Sequence, residues 1–107
     1  MTRVWWLVFL LGLNPVFAAP AAQREDGPSY NAIGSGHFVR AVSDEGRYVT
    51  LEDGSRWEVD PRVRFYSNAW KPDEGIAVRR ATPDEGFYYE LDNTDQDDGV
   101  LANYLPH

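Results

Sequence analysis

The sequence predicts an all-β protein: a small five- to six-stranded SH3-like or OB-like barrel of antiparallel hairpins behind an N-terminal signal peptide. Three observations predict it. Short runs of strand-favouring residues follow one another closely, with no convincing amphipathic helix between them. Two acidic residues followed by glycine recur between those runs. An apolar run near the amino terminus gives way to small residues.

The amino terminus has the order of a signal peptide. Arg3 supplies a positive start, Val4 to Leu13 is apolar, Asn14-Pro15 breaks the run, and VFAAPAA follows. Cleavage fits after Ala18 or after Ala21, and Pro20 disfavours it after Ala19. The apolar run falls short of the ~20 residues a spanning helix needs. Residues 1–21 are therefore expected to direct export to the periplasm or the exterior, with no stable membrane insertion afterwards. The chain has no cysteine, so a lipid anchor at the cleavage site, disulfides and thiolate chemistry are all closed to it.

With 107 residues there is room for one domain. The formal charge is −7, and losing Arg3 with the signal takes it to −8. That argues against a nucleic-acid binder, which normally shows a basic face, and against docking on anionic lipid. Residues 22–36, AQREDGPSYNAIGSG, read as a flexible leader. The barrel is then expected over 37–105.

The clearest hairpin is Arg47 to Asp60, RYVTLEDGSRWEVD. A two-residue loop at Asp53-Gly54 would mix apolar and charged side chains on one face. A three-residue loop, Glu52-Asp53-Gly54, sorts them, with Gly54 in the left-handed region as a G1 bulge. Leu51 then faces Ser55, Val49 faces Trp57, and Arg47 faces Val59. Val49, Leu51, Trp57 and Val59 share the inner face. Upstream, HFVRAVS over His37 to Ser43 is a strand. A second three-residue loop at Asp44-Glu45-Gly46 would put Ala41 opposite Val49 and Val39 opposite Leu51, leaving Phe38 and Val42 on the other face with Tyr48.

The same triplet stands at Asp73-Glu74-Gly75, Asp84-Glu85-Gly86 and Asp97-Asp98-Gly99. In each the acids tolerate the turn and glycine is expected to take the positive φ. Arg62 to Tyr66 fits a short strand or a helical turn. SNAWKPD, Ser67 to Asp73, is a connection in which Trp70 folds back on the core. Ile76 to Thr82 pairs with Phe87 to Asn93 in one of two registers: a three-residue loop puts Arg80 opposite Glu90, a four-residue loop puts Val78 opposite Leu91, and the second is preferred because it joins apolar partners. Val100 to Leu105 is the last strand.

LEDGSRWEV, then W-x₄-G-I-x-V at Trp70 to Val78, Y-x-L-x-N at Tyr89 to Asn93 and V-x-A at Val100 to Ala102 form a succession. It resembles a group of small exported bacterial β-barrel proteins with a D-G-S-x-W hairpin, a W-x-x-G-D-like turn and a Y-x-L-x-N strand. The resemblance spans roughly Val39 to Leu105 and implies an SH3-like or OB-like barrel without catalytic residues. This chain departs from the group at Ile76, where an acidic residue often follows the glycine, and in one extra residue before the glycine.

Catalysis finds little support. His37 and His107 are the two imidazoles, and no G-x-S-x-G or comparable signature accompanies them. The carboxylates sit at turns, where water holds them ionised. The densest acidic run, DNTDQDDG over Asp92 to Gly99, fails as an EF-hand: Thr94, Gln96 and Leu105 would fall at the first, third and twelfth ligand positions. Asp95, Asp97 and Asp98 remain candidates for a weak divalent-cation site. Among the rings, Trp57 belongs to the core by its register, while Tyr48, Tyr66 and Tyr88 are candidates for an exposed ligand platform.

The reading is a non-enzymatic exported module without a cofactor. It binds a partner protein or a saccharide in the envelope through a sheet face, an edge or its loops. The alternative is a structural domain whose acidic turns take up a divalent cation.

Overall fold

The computed structural model describes residues 29–84 and 86–106. The signal peptide expected over 1–21, the first part of the expected leader, Glu85 and His107 lie outside the described residues. The described elements are β1 (Gly34–Ser43), β2 (Tyr48–Leu51), β3 (Arg56–Val59), a 3₁₀ turn (Pro61–Val63), a one-turn helix α1 (Arg64–Ser67), β4 (Gly75–Asp84), β5 (Phe87–Asn93) and β6 (Asp98–Leu105).

The β2–β3 hairpin closes in the register that sorts its side chains. Val49 pairs with Trp57, and Leu51 N–H donates to the Ser55 carbonyl at 3.0 Å. Gly54 takes φ +86° and its N–H donates to the Leu51 carbonyl at 2.9 Å. Period-two alternation follows: Val49, Leu51, Trp57 and Val59 are fully buried, while Tyr48, Thr50, Arg56 and Glu58 look outward. The Trp57 indole N–H is satisfied inside the barrel by Ser55 Oγ at 2.9 Å.

The strands form two three-stranded meanders that close on each other in the order β1-β2-β3-β6-β5-β4, with every neighbouring pair antiparallel. Same-face apolar pairs run around the ring. Val39 opposes Leu51, Val59 opposes Ala102, Tyr89 opposes Ala102, Leu91 opposes Val100 and Val78 opposes Leu91. The expected Val78–Leu91 pairing is present, but the four-residue loop is not: β4 runs on to Asp84, which pairs with Phe87, and an irregularity between Arg80 and Asp84 takes up the difference. Between β1 and β4 the ladder continues through Val39, which donates to the Glu74 carbonyl and accepts from Asp73 N–H.

Several expectations are corrected. The β1–β2 loop has four residues, Asp44 to Arg47, because Asp44, Glu45 and Gly46 all take positive φ. A bulge between Val39 and Ala41 restores the Val39–Leu51 pair. Val42, not Ala41, therefore opposes Val49 and packs on the core; Ala41 is exposed. Glycine carries the positive φ at Gly46, Gly54 and Gly86, but Asp73 and Asp97 carry it in the other two triplets. There Gly75 and Gly99 are strand residues, and the last turn is Thr94 to Asp97. Chain order also extends into the stretch read as a leader: β1 starts at Gly34, and Tyr30 is buried.

The meanders are joined by Asp60 to Glu74. Buried Asp60 starts the helical turn by accepting from Arg62 N–H at 2.9 Å and from the Arg62 guanidinium, whose hydrogen bond outweighs burial and holds the carboxyl below its usual range. Arg62 to Tyr66 is thus helical, not a strand. Ser67 Oγ donates to the Gly46 carbonyl at 2.7 Å, tying α1 to the β1–β2 turn. Trp70 folds back as expected; it is buried, and its indole N–H donates to Asp98 Oδ1 at 2.9 Å.

Two turn glycines separate backbone freedom from space. A Cβ at Gly46 would lie 2.2 Å from the Arg64 carbonyl oxygen, whereas one at Gly54 would meet nothing within 4 Å. Gly54→Ala should cost about 1 kcal/mol, the left-handed penalty alone. Gly46→Ala should cost about 3 kcal/mol or more, because a backbone clash adds to it. Urea midpoints measure both; equal losses would mean α1 does not press on the first turn.

Candidate functional site

One set of polar contacts between distant parts of the chain lies at one mouth of the barrel, where the β2–β3 turn meets β1 and the segment preceding it. Glu52 is the hub. Its carboxylate accepts from Phe38 N–H at 2.8 Å and from His37 Nδ1 at 2.8 Å, and its N–H donates to the Phe38 carbonyl at 2.9 Å. Arg40 donates to its carbonyl. The neighbouring Asp53 accepts from Ser55 N–H at 3.0 Å and from the Tyr30 hydroxyl.

Tyr30 closes this mouth. Its ring meets Trp57 edge-on at 4.8 Å and Tyr104 at 5.1 Å, and its N–H donates to the Tyr89 hydroxyl at 3.0 Å. Trp57 in turn contacts Tyr89 at 5.3 Å and Tyr104 at 5.4 Å. These are favourable tilted geometries for rings whose edges and faces carry opposite partial charge. Burial and the Asp53 carboxylate push the Tyr30 phenol well above its usual pKa, so it stays a donor. Burial opposes ionisation of Asp53, but the bonds from Tyr30 and Ser55 win and hold it below its usual value.

His37, buried at the start of this cluster, has an acceptor at each ring nitrogen. The Ala32 carbonyl lies 2.7 Å from Nε2 and Glu52 lies 2.8 Å from Nδ1. Two acceptors require two N–H donors, hence the imidazolium. Burial pulls its pKa down, yet the Ala32 carbonyl and Glu52 outweigh that and leave it above its ordinary value. His37, Glu52 and Asp53 bring one imidazole and two carboxylates within 4.8 Å of one another. A cation would have to displace the hydrogen bonds that already engage them, so the arrangement is a clasp between chain segments.

The expected site residues are spread over the molecule. Tyr48 lies on the outer wall of β2 with the Arg47 and Arg56 guanidinium groups at 4.9 and 4.8 Å from its ring centre. Tyr88 lies on β5, half-buried, three strands away around the ring in either direction. Tyr66 lies on α1. The closed ring thus sets Tyr48 and Tyr88 on opposite sides, and the three form no common patch. Asp95, Asp97 and Asp98 are together at the β5–β6 turn but aim apart. Asp95 accepts from Gly75 N–H at 2.7 Å, Asp98 accepts from the Trp70 indole, and Asp97 is exposed. Asp97 and Asp98 border a depression of about 380 Å³ with Glu90 and Asp92. There a hydrogen bond with Asp92 raises the Glu90 pKa, and Arg79 bridges the two carboxylates at 2.8 and 2.6 Å.

An aromatic surface exists elsewhere. Phe65 and Tyr66 on α1 are 66% and 39% exposed, with ring centres 4.2 Å apart. Below them α1 is anchored by Arg64, which donates to the Val59 carbonyl at 2.8 Å and pairs with Glu58.

Sequence reasoning missed Tyr30 and the His37 clasp. The one signal was an aromatic and an aliphatic residue, Tyr30 and Ile33, within an otherwise polar stretch. Asn93 was read only as a strand residue. It is buried and satisfied: Oδ1 accepts from the Asp95 and Gln96 amides, and Nδ2 donates to Glu74. No family model matches the chain, and neither a curated protein nor a solved structure matches it.

Because the folded Asp53 carboxyl titrates below its unfolded value, its contribution is present above about pH 4 and disappears as pH falls through the folded value. Tyr30→Phe should therefore cost about 1 kcal/mol near neutrality. The deficit should shrink in strong acid, where the wild type has lost the same bond. Urea unfolding at both pH values decides it; a deficit that stays constant would remove the phenol–carboxylate bond from the account.

Proposed function

We propose that the chain is an exported, non-enzymatic β-barrel module that binds a partner protein or saccharide through a loop-borne aromatic surface. The carrying observation is the Phe65–Tyr66 pair, two rings in contact and open to solvent on a helical turn held from beneath. Adjacent, preordered rings offer apolar area at little entropic cost, which suits a sugar face or an apolar side chain.

Other parts of the molecule support this choice. The ring leaves no unpaired strand among the described residues, which speaks against augmentation by a partner strand. The outer wall carries ion pairs, Arg47 with Glu58 at 3.1 Å and Arg79 with Glu90 and Asp92, that would have to be desolvated on binding. A non-catalytic reading draws on His37, whose two nitrogens are both committed, and on Ser55 Oγ, which accepts from Trp57. Within the small barrels the OB-like description fits better than the SH3-like one: β1 pairs with both β2 and β4, and a helical connection joins β3 to β4. Export rests on the pattern of residues 1–21.

The test is titration with envelope oligosaccharides and with envelope protein fractions, followed by aromatic NMR resonances. Shifts should centre on Phe65 and Tyr66. Phe65→Ala with Tyr66→Ala should weaken binding roughly tenfold or more. It should change stability by no more than about 1 kcal/mol, since both rings are exposed. Shifts centred on the barrel wall, or affinity unchanged in the double variant, would overturn the reading.

A further inference from the structure

We propose that the segment from Ser29 to Ile33 is a pH-released plug: it covers the aromatic mouth of the barrel while His37 is an imidazolium and leaves when that charge is lost. Three features of the structure carry this. The segment has no regular secondary structure, yet Tyr30 within it is buried against Trp57 and Tyr104. It joins β1 through Gly34 and Gly36, with φ +124° and +95°, where a side chain would meet nothing within 4 Å and the β1–β4 register shifts. Among the described residues its fastenings include the Tyr30 hydroxyl to Asp53, Tyr30 N–H to the Tyr89 hydroxyl, and the Ala32 carbonyl to His37 Nε2.

His37 is the fastening that can switch. As an imidazolium it donates from Nε2 to the Ala32 carbonyl and from Nδ1 to Glu52, linking the segment to the β2–β3 turn. Once neutral it has one N–H, so one of the two acceptors faces a lone pair across 2.7 or 2.8 Å. The titratable groups facing it are Glu52 and Asp53 on the turn and Tyr30 on the segment. Arg40, on its own strand, reaches the Glu52 carbonyl, and β4 presents Ile76 opposite it. The sign follows from the raised folded value. The contribution is complete below the ordinary imidazole pKa of 6.5 and is lost as pH rises through the higher folded value. Release bares Trp57, Tyr89 and Tyr104 at the mouth. It also frees the segment between the barrel and whatever precedes it.

The experiment is NMR on the full chain from about pH 6 to about pH 9. It reads the ¹⁵N shifts of His37 and the hydrogen exchange of the Tyr30 amide, corrected for the intrinsic pH dependence of exchange. At the acidic end both ring nitrogens should be protonated and the Tyr30 amide protected. Through the imidazole titration that protection should fall roughly tenfold per pH unit while the Val49 and Leu91 amides keep theirs. His37→Gln, which cannot titrate, should give protection that does not change with pH. Three results would overturn the proposal: a neutral His37 at pH 6, Tyr30 protection unchanged through the wild-type titration, or loss of Val49 protection together with it. All three are read on the wild-type chain.

Discussion

A single backbone choice decides which way the central side chains look. Glycine 54 ends a three-residue loop in the left-handed region, so Trp57 opposes Val49 and points inward. One residue fewer in that loop would turn the indole to solvent and carry Arg56 inside, at a cost no barrel this small could meet. With Trp57 inside, Val59, Leu51 and Val49 follow by parity, and the facing strands close around them. The same turn then holds the amino-terminal segment through Glu52 and Asp53. One reversal thus sets the parity of the wall and captures the lid of the mouth.

The two ends of the barrel are sealed differently. At the end bearing the β1–β2 and β5–β6 turns, Trp70 is held by Asp98, and α1 is pinned to Gly46 through Ser67. That end is built from backbone contact and an indole bonded to a strand residue. At the other end the seal is Tyr30, carried on irregular chain next to a glycine joint and tied by groups that titrate. Rigid support under Phe65 and Tyr66 suits a preformed contact surface, and the looser seal suits a part that moves. A closed ring with a charged wall leaves its chemistry to the ends.

Much of the wall was legible in the sequence. Alternation over Tyr48 to Leu51 and Arg56 to Val59 gave one sensible register, and the apolar match of Val78 with Leu91 gave another. The β1–β2 loop was not legible, because Asp44 and Glu45 adopt left-handed conformations that ordinary side chains avoid, adding a residue that a bulge near Arg40 takes back. Gly75 and Gly99 misled for the opposite reason: aspartate took the strained position and glycine made room, with Thr94 Oγ1 and Asp92 Oδ1 only 2.7 and 2.5 Å from where a Cβ would stand. For the site, parity put Tyr48 and Tyr88 outside, but ring closure, invisible in a linear pattern, set them on opposite walls. Tyr30 could not be read from composition, since only tertiary contact distinguishes a buried ring from one in a polar tail.

The most direct test of the central claim is the NOE spectrum of the Trp57 indole. Ring centres 4.8 to 5.4 Å away predict strong cross-peaks to Tyr30, Tyr89 and Tyr104, and an indole N–H shielded from water by Ser55. An indole that exchanges freely with solvent and shows cross-peaks only to Tyr48 or Arg56 would mean the opposite parity, and the account would not stand.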